Sequence, residues 1–126
     1  MPSKYLIDTN ILIDHLNGDS AANTFLRDVE TGRLRATISV ITECELLSGS
    51  VMTVREEREI LDLLTLLPSV AVTSHVARLG AQLRRRYSMT VADALIAATA
   101  IRGHATLVTR NIKDFRSIKD LRLHSI

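Results

Sequence analysis

Four acidic side chains lie next to predicted strands, at positions where they could meet. Asp8 directly follows the apolar run at 5–7, and Asp114 lies in the segment after a later apolar run. Glu45 and Asp93 lie in predicted helices that follow or precede other strands. If these carboxylates share one small volume, their like charges disfavour ionisation and destabilise the fold, so the group needs a cation.

The residue types of this group point to a hard metal ion. The chain has one cysteine, Cys44, and its four histidines show no ligand spacing, so the candidate ligands are all oxygen atoms. Oxygen ligands favour Mg²⁺, with Mn²⁺ as an acceptable substitute. An ion held by carboxylates activates water and stabilises a leaving oxygen, so hydrolysis of a phosphodiester is the natural reaction.

The same acids also fit a purely structural interpretation. The pairs Thr42 with Glu45 and Thr90 with Asp93 have the spacing of a helix capping box. Asp8 could be a helix cap or form an Asx turn, and the fourth acid could be a solvated loop residue. The pattern alone leaves both interpretations open.

Alternating strands and helices predict an α/β fold that brings the acids to one edge. Its centre is a mostly parallel sheet of four to five strands flanked by helices, in one domain over 1–126. In such folds the ligand site lies beyond the carboxyl ends of the strands. Strands are predicted at 5–7, 34–38, 70–72, 105–108 and, weakly, 121–123. Helices are predicted over 11–16, 20–31, 40–47 and 54–67, from Ser74, and from a Thr90 cap to 102.

The composition is that of a globular protein and limits its environment. Apolar residues make up 46% of the 126 residues and charged residues 24%, which excludes a disordered chain. No window holds 18 apolar residues, and a single cysteine favours a reducing cytoplasm. The net charge is only +2, but four acids gathered at one site would leave 16 basic and 10 acidic residues elsewhere.

Three sequence blocks resemble the PIN-domain ribonucleases, and more closely the VapC-type toxins of type II toxin–antitoxin systems. They are YLIDTNILI at 5–13, ISVITECELLSG at 38–49 and TVADALIAATAIRGHATLVTRNIKDF at 90–115. The resemblance implies a PIN-like three-layer fold and a Mg²⁺-dependent endoribonuclease. Such enzymes cut structured RNA, commonly tRNA or rRNA, and so inhibit translation.

The resemblance also implies roles for the acids. Asp8 and Asp93 are the implied metal ligands, and Glu45, rather than its neighbour Glu43, is a further ligand or orients the attacking water. The fourth catalytic position falls on Asp114, because the place where many relatives carry an acid holds an asparagine here. Supporting or substrate-binding roles are predicted for Thr9, Thr109, Asn111 and Arg110.

Partners follow from the resemblance as well. It implies a homodimer inhibited by a cognate VapB-type antitoxin, whose segment covers the acidic site. Ile11, Leu12 and Phe25 are candidates for that groove, or they are core. The basic run at 84–86 with Tyr87 could bind RNA, or it could only complement the end of a helix dipole.

Two other functions compete with the nuclease. A phospho-accepting signalling domain also places acids at strand ends, but it needs an aspartate after the third strand, where this chain has Thr73 and Ser74. A catalytically silent PIN-like module would bind RNA without cutting it. The presence of Asp8, Glu45 and Asp93 argues against a lost activity.

Overall fold

The structure, a computed structural model, describes residues 4–126 as a five-stranded sheet covered by helices. The sheet order is β3-β2-β1-β4-β5, and each strand pairs with its neighbour in parallel. The predicted α/β class with a parallel sheet is confirmed. The strands are β1 Lys4–Ile7, β2 Arg35–Ser39, β3 Ser69–Val70, β4 Thr106–Val108 and β5 Leu123–His124.

Seven helices within this part of the chain connect the strands. They are α1 Thr9–Leu16, α2 Ser20–Glu30, α3 Val40–Leu47, α4 Val54–Leu66, α5 Ser74–Arg86, α6 Val91–Arg102 and α7 Ile112–Phe115. Short polar side chains begin most of them; for example, Thr53 and Glu56 form both halves of a capping box at the start of α4. No helix among residues 4–126 is long and apolar enough to cross a membrane.

The strands separate two hydrophobic cores because successive side chains point to opposite faces. Leu6 and Leu107 belong to the core beneath α5 and α6, whereas Ile7 and Val108 belong to the core beneath α1 to α4. All four side chains are buried. The result is the predicted three-layer arrangement, with a layer of helices on each face of the sheet.

The sheet order places a topological switch between β1 and β4. The chain moves outward from β1 through β2 to β3, and then returns to add β4 on the other side of β1. Ile7 and Val108 are paired at the carboxyl ends of these two strands. The residues that follow, Asp8 and Thr109, therefore leave the sheet side by side, where parallel sheets bind ligands.

Several predicted boundaries need correction. The third strand covers only 69–70 and the fifth 123–124, because both lie at sheet edges with one pairing partner each. Helix α5 is capped by Thr73, whose hydroxyl accepts from the N–H of Val76, and not by Ser74. Asp114, predicted in a loop, lies in the short helix α7. The first three residues of the predicted 1–126 domain lie outside the described residues.

Candidate active site

Asp8 is a buried carboxylate whose two oxygens are bound by different parts of the fold. Its Oδ1 atom accepts a 2.8 Å hydrogen bond from the backbone N–H of Thr9, which caps α1. Its Oδ2 atom accepts a 2.8 Å hydrogen bond from the hydroxyl of Thr109, just after β4. The capping interpretation of Asp8 is therefore confirmed, but it accounts for only one oxygen of a side chain that is 3% exposed.

Thr109 is oriented by the loop that follows it. Its Oγ1 atom accepts a 3.0 Å hydrogen bond from the backbone N–H of Asn111 while it donates to Asp8. The side chain is fully buried. Because a hydroxyl has one proton, the incoming N–H leaves that proton directed at the carboxylate.

Thr9 connects Glu45 to Asp8, because it makes a hydrogen bond to each of the two carboxylates. The hydroxyl of Thr9 donates a 2.6 Å hydrogen bond to Oε1 of Glu45, and a 3.0 Å hydrogen bond joins it to the hydroxyl of Thr42. A carboxylate can only accept, so the proton of Thr9 goes to Glu45 and Thr42 donates to Thr9. Thr42 is fully buried.

The capping alternative for Thr42 and Glu45 is wrong. Helix α3 begins two residues before Thr42, and its cap is Ser39, whose hydroxyl accepts from the N–H of Ile41. Glu43 accepts a hydrogen bond from the hydroxyl of Ser69 in β3 instead of joining the network. Of the two glutamates, only Glu45 therefore joins the hydrogen-bond network around Asp8.

Asp93 lies in the first turn of α6, where Thr90 provides the cap. The Thr90 hydroxyl accepts a 3.1 Å hydrogen bond from the backbone N–H of Asp93, so this half of the predicted capping box is confirmed. The partly buried carboxylate of Asp93 is held near the other acids. Burial raises its pKa above 3.8, the Thr90 hydroxyl opposes that shift, and the charges of Asp114 and Glu45 add to it.

The pKa of Asp8 shows that the acids form one electrostatic group. Burial is the largest cause of its rise above 3.8, the hydrogen bonds from Thr109 and Thr9 lower it, and the charges of Asp93 and Glu45 raise it. Asp114 enters this group through its repulsion with Asp93. The charges of Asp8, Glu45 and Asp93 therefore act on one another, and Asp114 acts on Asp93.

The donor chemistry of this group fits a hard divalent ion. The side chains that act on Asp8 and Asp93 offer carboxylate and hydroxyl oxygens, with no thiol or imidazole among them. Across residues 4–126, no three His, Cys, Asp or Glu side chains stand close enough to hold one ion together. Mg²⁺ does not need such a cage, because it keeps several waters and binds through one or two carboxylates.

The predicted supporting residues differ in what they can do. Thr9 and Thr109 are 5% and 0% exposed and already donate to acids of the group, so they position carboxylates and do not offer their protons to a substrate. Asn111 precedes α7, and its half-buried side chain makes no capping hydrogen bond there. Its amide is therefore available beside the acids.

Arg110 is engaged in a way that the sequence did not predict. Its Nη2 atom lies 2.6 Å from Oδ2 of Asp19, and its Nη1 atom lies 2.9 Å from Oδ2 of Asp14 and 3.2 Å from Oδ1 of Asp19. Asp19 also caps α2. These ion pairs give Arg110 a structural role, and its RNA contact stays a prediction. No local pattern marks an aspartate as the partner of an arginine 91 residues away.

An apolar groove with acidic edges begins at Glu45 and runs between α1, α3 and α4. It encloses about 390 Å³, and its apolar lining includes Ile13, Leu16 and Ile60. Glu56 and Glu59 also line it. The side chains proposed from sequence for such a groove, Ile11, Leu12 and Phe25, are core residues with at most 6% exposure.

Comparison with known proteins finds relatives that match almost the whole chain. The PIN domain family matches residues 5–121. Ribonuclease VapC19 of Mycobacterium tuberculosis is 38% identical over 124 residues, covering 92% of this chain and 95% of the relative. Ribonuclease VapC10 of the same species is 34% identical over 122 residues, covering 93% and 90%.

Two solved toxin–antitoxin complexes contain chains with this fold. VapBC2 from Rickettsia felis, bound to a DNA fragment from its promoter, contains a chain with a TM-score of 0.81 and 27% identity, covering 98% of both chains. A toxin–antitoxin complex from Klebsiella pneumoniae contains one with a TM-score of 0.79 and 30% identity, covering 97% of this chain and 99% of the other.

Proposed function

The chain belongs to the PIN-domain family, and on that premise we propose that it is a metal-dependent endoribonuclease toxin neutralised by a VapB-type antitoxin. The observation that carries the proposal is the acidic group itself. Asp8 and Asp93 are raised in pKa by burial and by neighbouring acids at the switch point of a parallel sheet. Relatives that are named ribonucleases align over this whole region.

Asp8 and Asp93 are the proposed ligands of Mg²⁺, for which Mn²⁺ can substitute. PIN-domain ribonucleases generally use divalent metal ions. When bound, such an ion supplies Lewis acidity toward phosphate oxygens and lowers the pKa of a water molecule. The threonines at positions 9 and 109 keep the Asp8 carboxylate oriented through two 2.8 Å hydrogen bonds. Preorganised ligands of this kind lower the cost of assembling the site at each turnover.

Glu45 is the proposed group that handles the proton of the attacking water. Its Oε1 atom accepts from Thr9, which leaves the second carboxylate oxygen to accept a hydrogen bond from that water. The side chain is exposed, so substrate and water can reach it. Asp114 is the proposed fourth acid, and the amide of Asn111 offers a neutral contact to the substrate.

The groove that begins at Glu45 is the proposed binding site of the antitoxin. Ile13 is 41% exposed there, and Leu16 and Ile60 offer further apolar surface. The edge carries Glu56 and Glu59, so a segment with apolar and basic residues is complementary to it. Such a segment would continue onto the acidic group and exclude RNA.

The substrate and assembly are proposed at the level of class. We propose structured RNA, tRNA or rRNA, as the substrate, whose cleavage in the cytoplasm inhibits translation. We propose a homodimer as the assembly. The apolar cleft between α5 and α6, which includes Ala81, Val91 and Leu95, supports it, because Val91 is 52% exposed and a second copy would cover it.

One assay separates a nuclease from a silent RNA-binding module. Purified protein is incubated with total tRNA in Mg²⁺, in Mn²⁺ and in EDTA, and the assay is repeated with Asp8→Asn and Asp93→Asn. We expect cleavage by the wild type only with a divalent ion and none by either variant. Unchanged cleavage in EDTA and in both variants would contradict the metal site. RNA binding without cleavage under all conditions would favour the silent module.

A further inference from the structure

A polar cleft lies outside the acidic group. It encloses about 530 Å³ between the last turns of α5 and α6 and the loop that follows α7. Its apolar lining includes Leu83 and Ile118, which are buried, and Ile101, which is half-buried. Tyr87, also half-buried, lies at the end of α5 and contributes an aromatic ring to the lining.

The charged lining of this cleft is predominantly basic. Arg85, Arg86 and Lys119 contribute three cations against one acid, Asp120. All three cations are exposed, and within residues 4–126 none of them forms an ion pair. Arg85 lines the proposed dimer cleft as well, whereas Arg86 and Lys119 do not, so at least these two charges stay free to act on an anion. A binding partner with phosphate groups would be complementary to this set.

The neighbouring arginine of the same basic run behaves differently. Arg84 donates from Nε to the backbone carbonyl of Met89, 3.1 Å away, and so it helps to fix the turn into α6. Interaction with the helix dipole explains why cations are favoured at this helix end. It does not explain why two of them line a cleft together with a lysine from a distant loop.

The cleft lies near enough to the acidic group for one RNA molecule to contact both. Ile101 and Asp93 belong to the same helix and are eight residues apart, which corresponds to roughly 12 Å along its axis. This separation is small compared with a folded RNA. A substrate cut beside Asp93 would therefore extend over this part of the surface.

We propose that this cleft binds a nucleotide of the RNA substrate away from the phosphate that is cut. Arg85, Arg86 and Lys119 contact the RNA phosphates, and an unstacked base packs against Tyr87 and the apolar floor. The chemistry is that of single-stranded RNA segments, in which splayed bases stack on aromatic side chains and phosphates pair with arginine. This inference rests on the proposed ribonuclease function.

The test measures RNA binding apart from catalysis. In a full-length Asp93→Asn background, with EDTA present, the affinity for total tRNA is measured over a range of salt concentrations. We expect the added pair Arg85→Ala and Arg86→Ala to weaken binding about tenfold and to lower the slope of log affinity against log salt by about 1.5. The pair Arg85→Lys and Arg86→Lys retains the charge and should stay near the parent.

A matched control removes the same charge elsewhere. Arg58 on α4 and Arg78 on α5 are exposed and do not line the cleft, so their double alanine variant should bind tRNA more tightly than the cleft variant. Equal losses in both variants would overturn the proposal, because they would show a diffuse charge effect. The same cleft changes in the wild type should raise KM and leave kcat nearly unchanged.

Further outcomes separate this proposal from the proposed function. Cleavage of tRNA by the wild type, together with equal tRNA affinity of the cleft variant and the parent, would overturn the RNA cleft while the nuclease stands. A lack of cleavage by the wild type would contradict the nuclease, and the binding comparison would still decide the cleft. ATP offers the same chemistry, so ATP binding that the cleft variant loses, with tRNA affinity unchanged, would overturn the assignment to RNA.

Discussion

Thr109 donates a 2.8 Å hydrogen bond to Oδ2 of Asp8 across 101 residues of sequence. The contact joins the carboxyl ends of β1 and β4, the two strands that meet at the switch point of the sheet. It is the main influence that opposes the effect of burial on the pKa of Asp8. The hydroxyl group of Thr109 therefore links the junction of β1 and β4 to the protonation state of Asp8.

We expect Thr109→Val to destabilise the protein by about 1.5–3 kcal/mol at pH 7, because a buried carboxylate loses a hydrogen-bond donor. The pKa of Asp8 should rise further without that donor. The penalty should therefore shrink as the pH is lowered and Asp8 takes up a proton in the folded state. Urea denaturation at several pH values measures this, and Thr109→Ser, which retains the hydroxyl, is the matched control.

Asp93→Asn should stabilise the metal-free protein at pH 7, although it removes a proposed ligand. The folded-state pKa of Asp93 is raised above 3.8, so the folded protein holds its proton more tightly than the unfolded chain. Its stability contribution is present below 3.8 and is lost as the pH rises through the folded-state pKa. Asparagine carries no charge at pH 7, so the variant does not have this unfavourable ionisation. Helix α6 keeps its cap because Thr90 provides it.

The gain should appear as a rise of a few degrees in Tm in EDTA at pH 7 and should vanish near pH 3.5. Asp62→Asn, on the exposed surface of α4, removes an equal charge and should show no comparable gain. An equal rise in both variants would mean that overall net charge, and not crowding of the acidic group, is responsible.

Magnesium ions should stabilise the wild type and have little effect on Asp93→Asn. A ligand at 100 times its Kd raises the free energy of unfolding by about 2.7 kcal/mol, because it binds the folded state only. Thermal denaturation with increasing MgCl₂, and with NaCl at matched ionic strength, distinguishes binding from screening. A wild-type Tm that responds equally to both salts would argue against a specific ion.

Sequence patterns predicted the placement of the acids better than their interactions. The strand and helix order put Asp8 and Asp93 at one edge, because parallel strands fix which ends meet. The capping pattern predicted the Thr90 cap but was misleading at Thr42, since it cannot tell a cap from a buried threonine inside the first turn of a helix. Local spacing has no information about such burial.

Long-range polar pairs were beyond prediction for the same reason. Arg110 was predicted to bind the substrate as one of the basic residues that could contact RNA phosphates, and nothing near it in sequence reveals Asp14 and Asp19 as partners. Edge strands were misplaced by one or two residues, since a strand with one neighbour is defined by its pairing more than by its own side chains.

Glu45→Gln and Glu43→Gln should differ sharply in activity. The two glutamates are separated by one residue, but only Glu45 accepts from Thr9 and acts on the pKa of Asp8 and Asp93. We expect kcat for tRNA cleavage to fall about 100-fold or more in Glu45→Gln, as for the loss of a general base. Glu43→Gln should remain near the wild type, and a comparable fall in both would indicate a shared structural role.

Arg110 offers a direct choice between a structural clamp and an RNA contact. Its guanidinium group pairs with Asp19 and Asp14. In sequence it stands between two site residues, Thr109 and Asn111, so its loss should let the loop at 109–111 move. We expect Arg110→Ala to reduce kcat about tenfold, because small displacements of positioning groups are costly. The salt dependence of RNA binding should not change, because no phosphate contact is lost.

Asp19→Asn decides between the two roles. Asparagine caps a helix as well as aspartate does, so α2 should remain intact while the ion pair is lost. A clamp predicts that Asp19→Asn lowers activity less than Arg110→Ala, because the ion pair with Asp14 remains, and that the double variant is no worse than Arg110→Ala. An RNA contact predicts instead that Asp19→Asn is harmless.

The acid stability of these variants provides an independent measurement. Arg110 lowers the pKa of Asp19 below 3.8, so the ion pair stabilises the fold above pH 3.8 and that contribution is lost as the pH falls through the lower folded-state value. The wild type should therefore exceed Arg110→Ala in stability at pH 7, and the two should converge in strong acid. A constant difference at every pH would mean that Arg110 acts through packing and not through its charge.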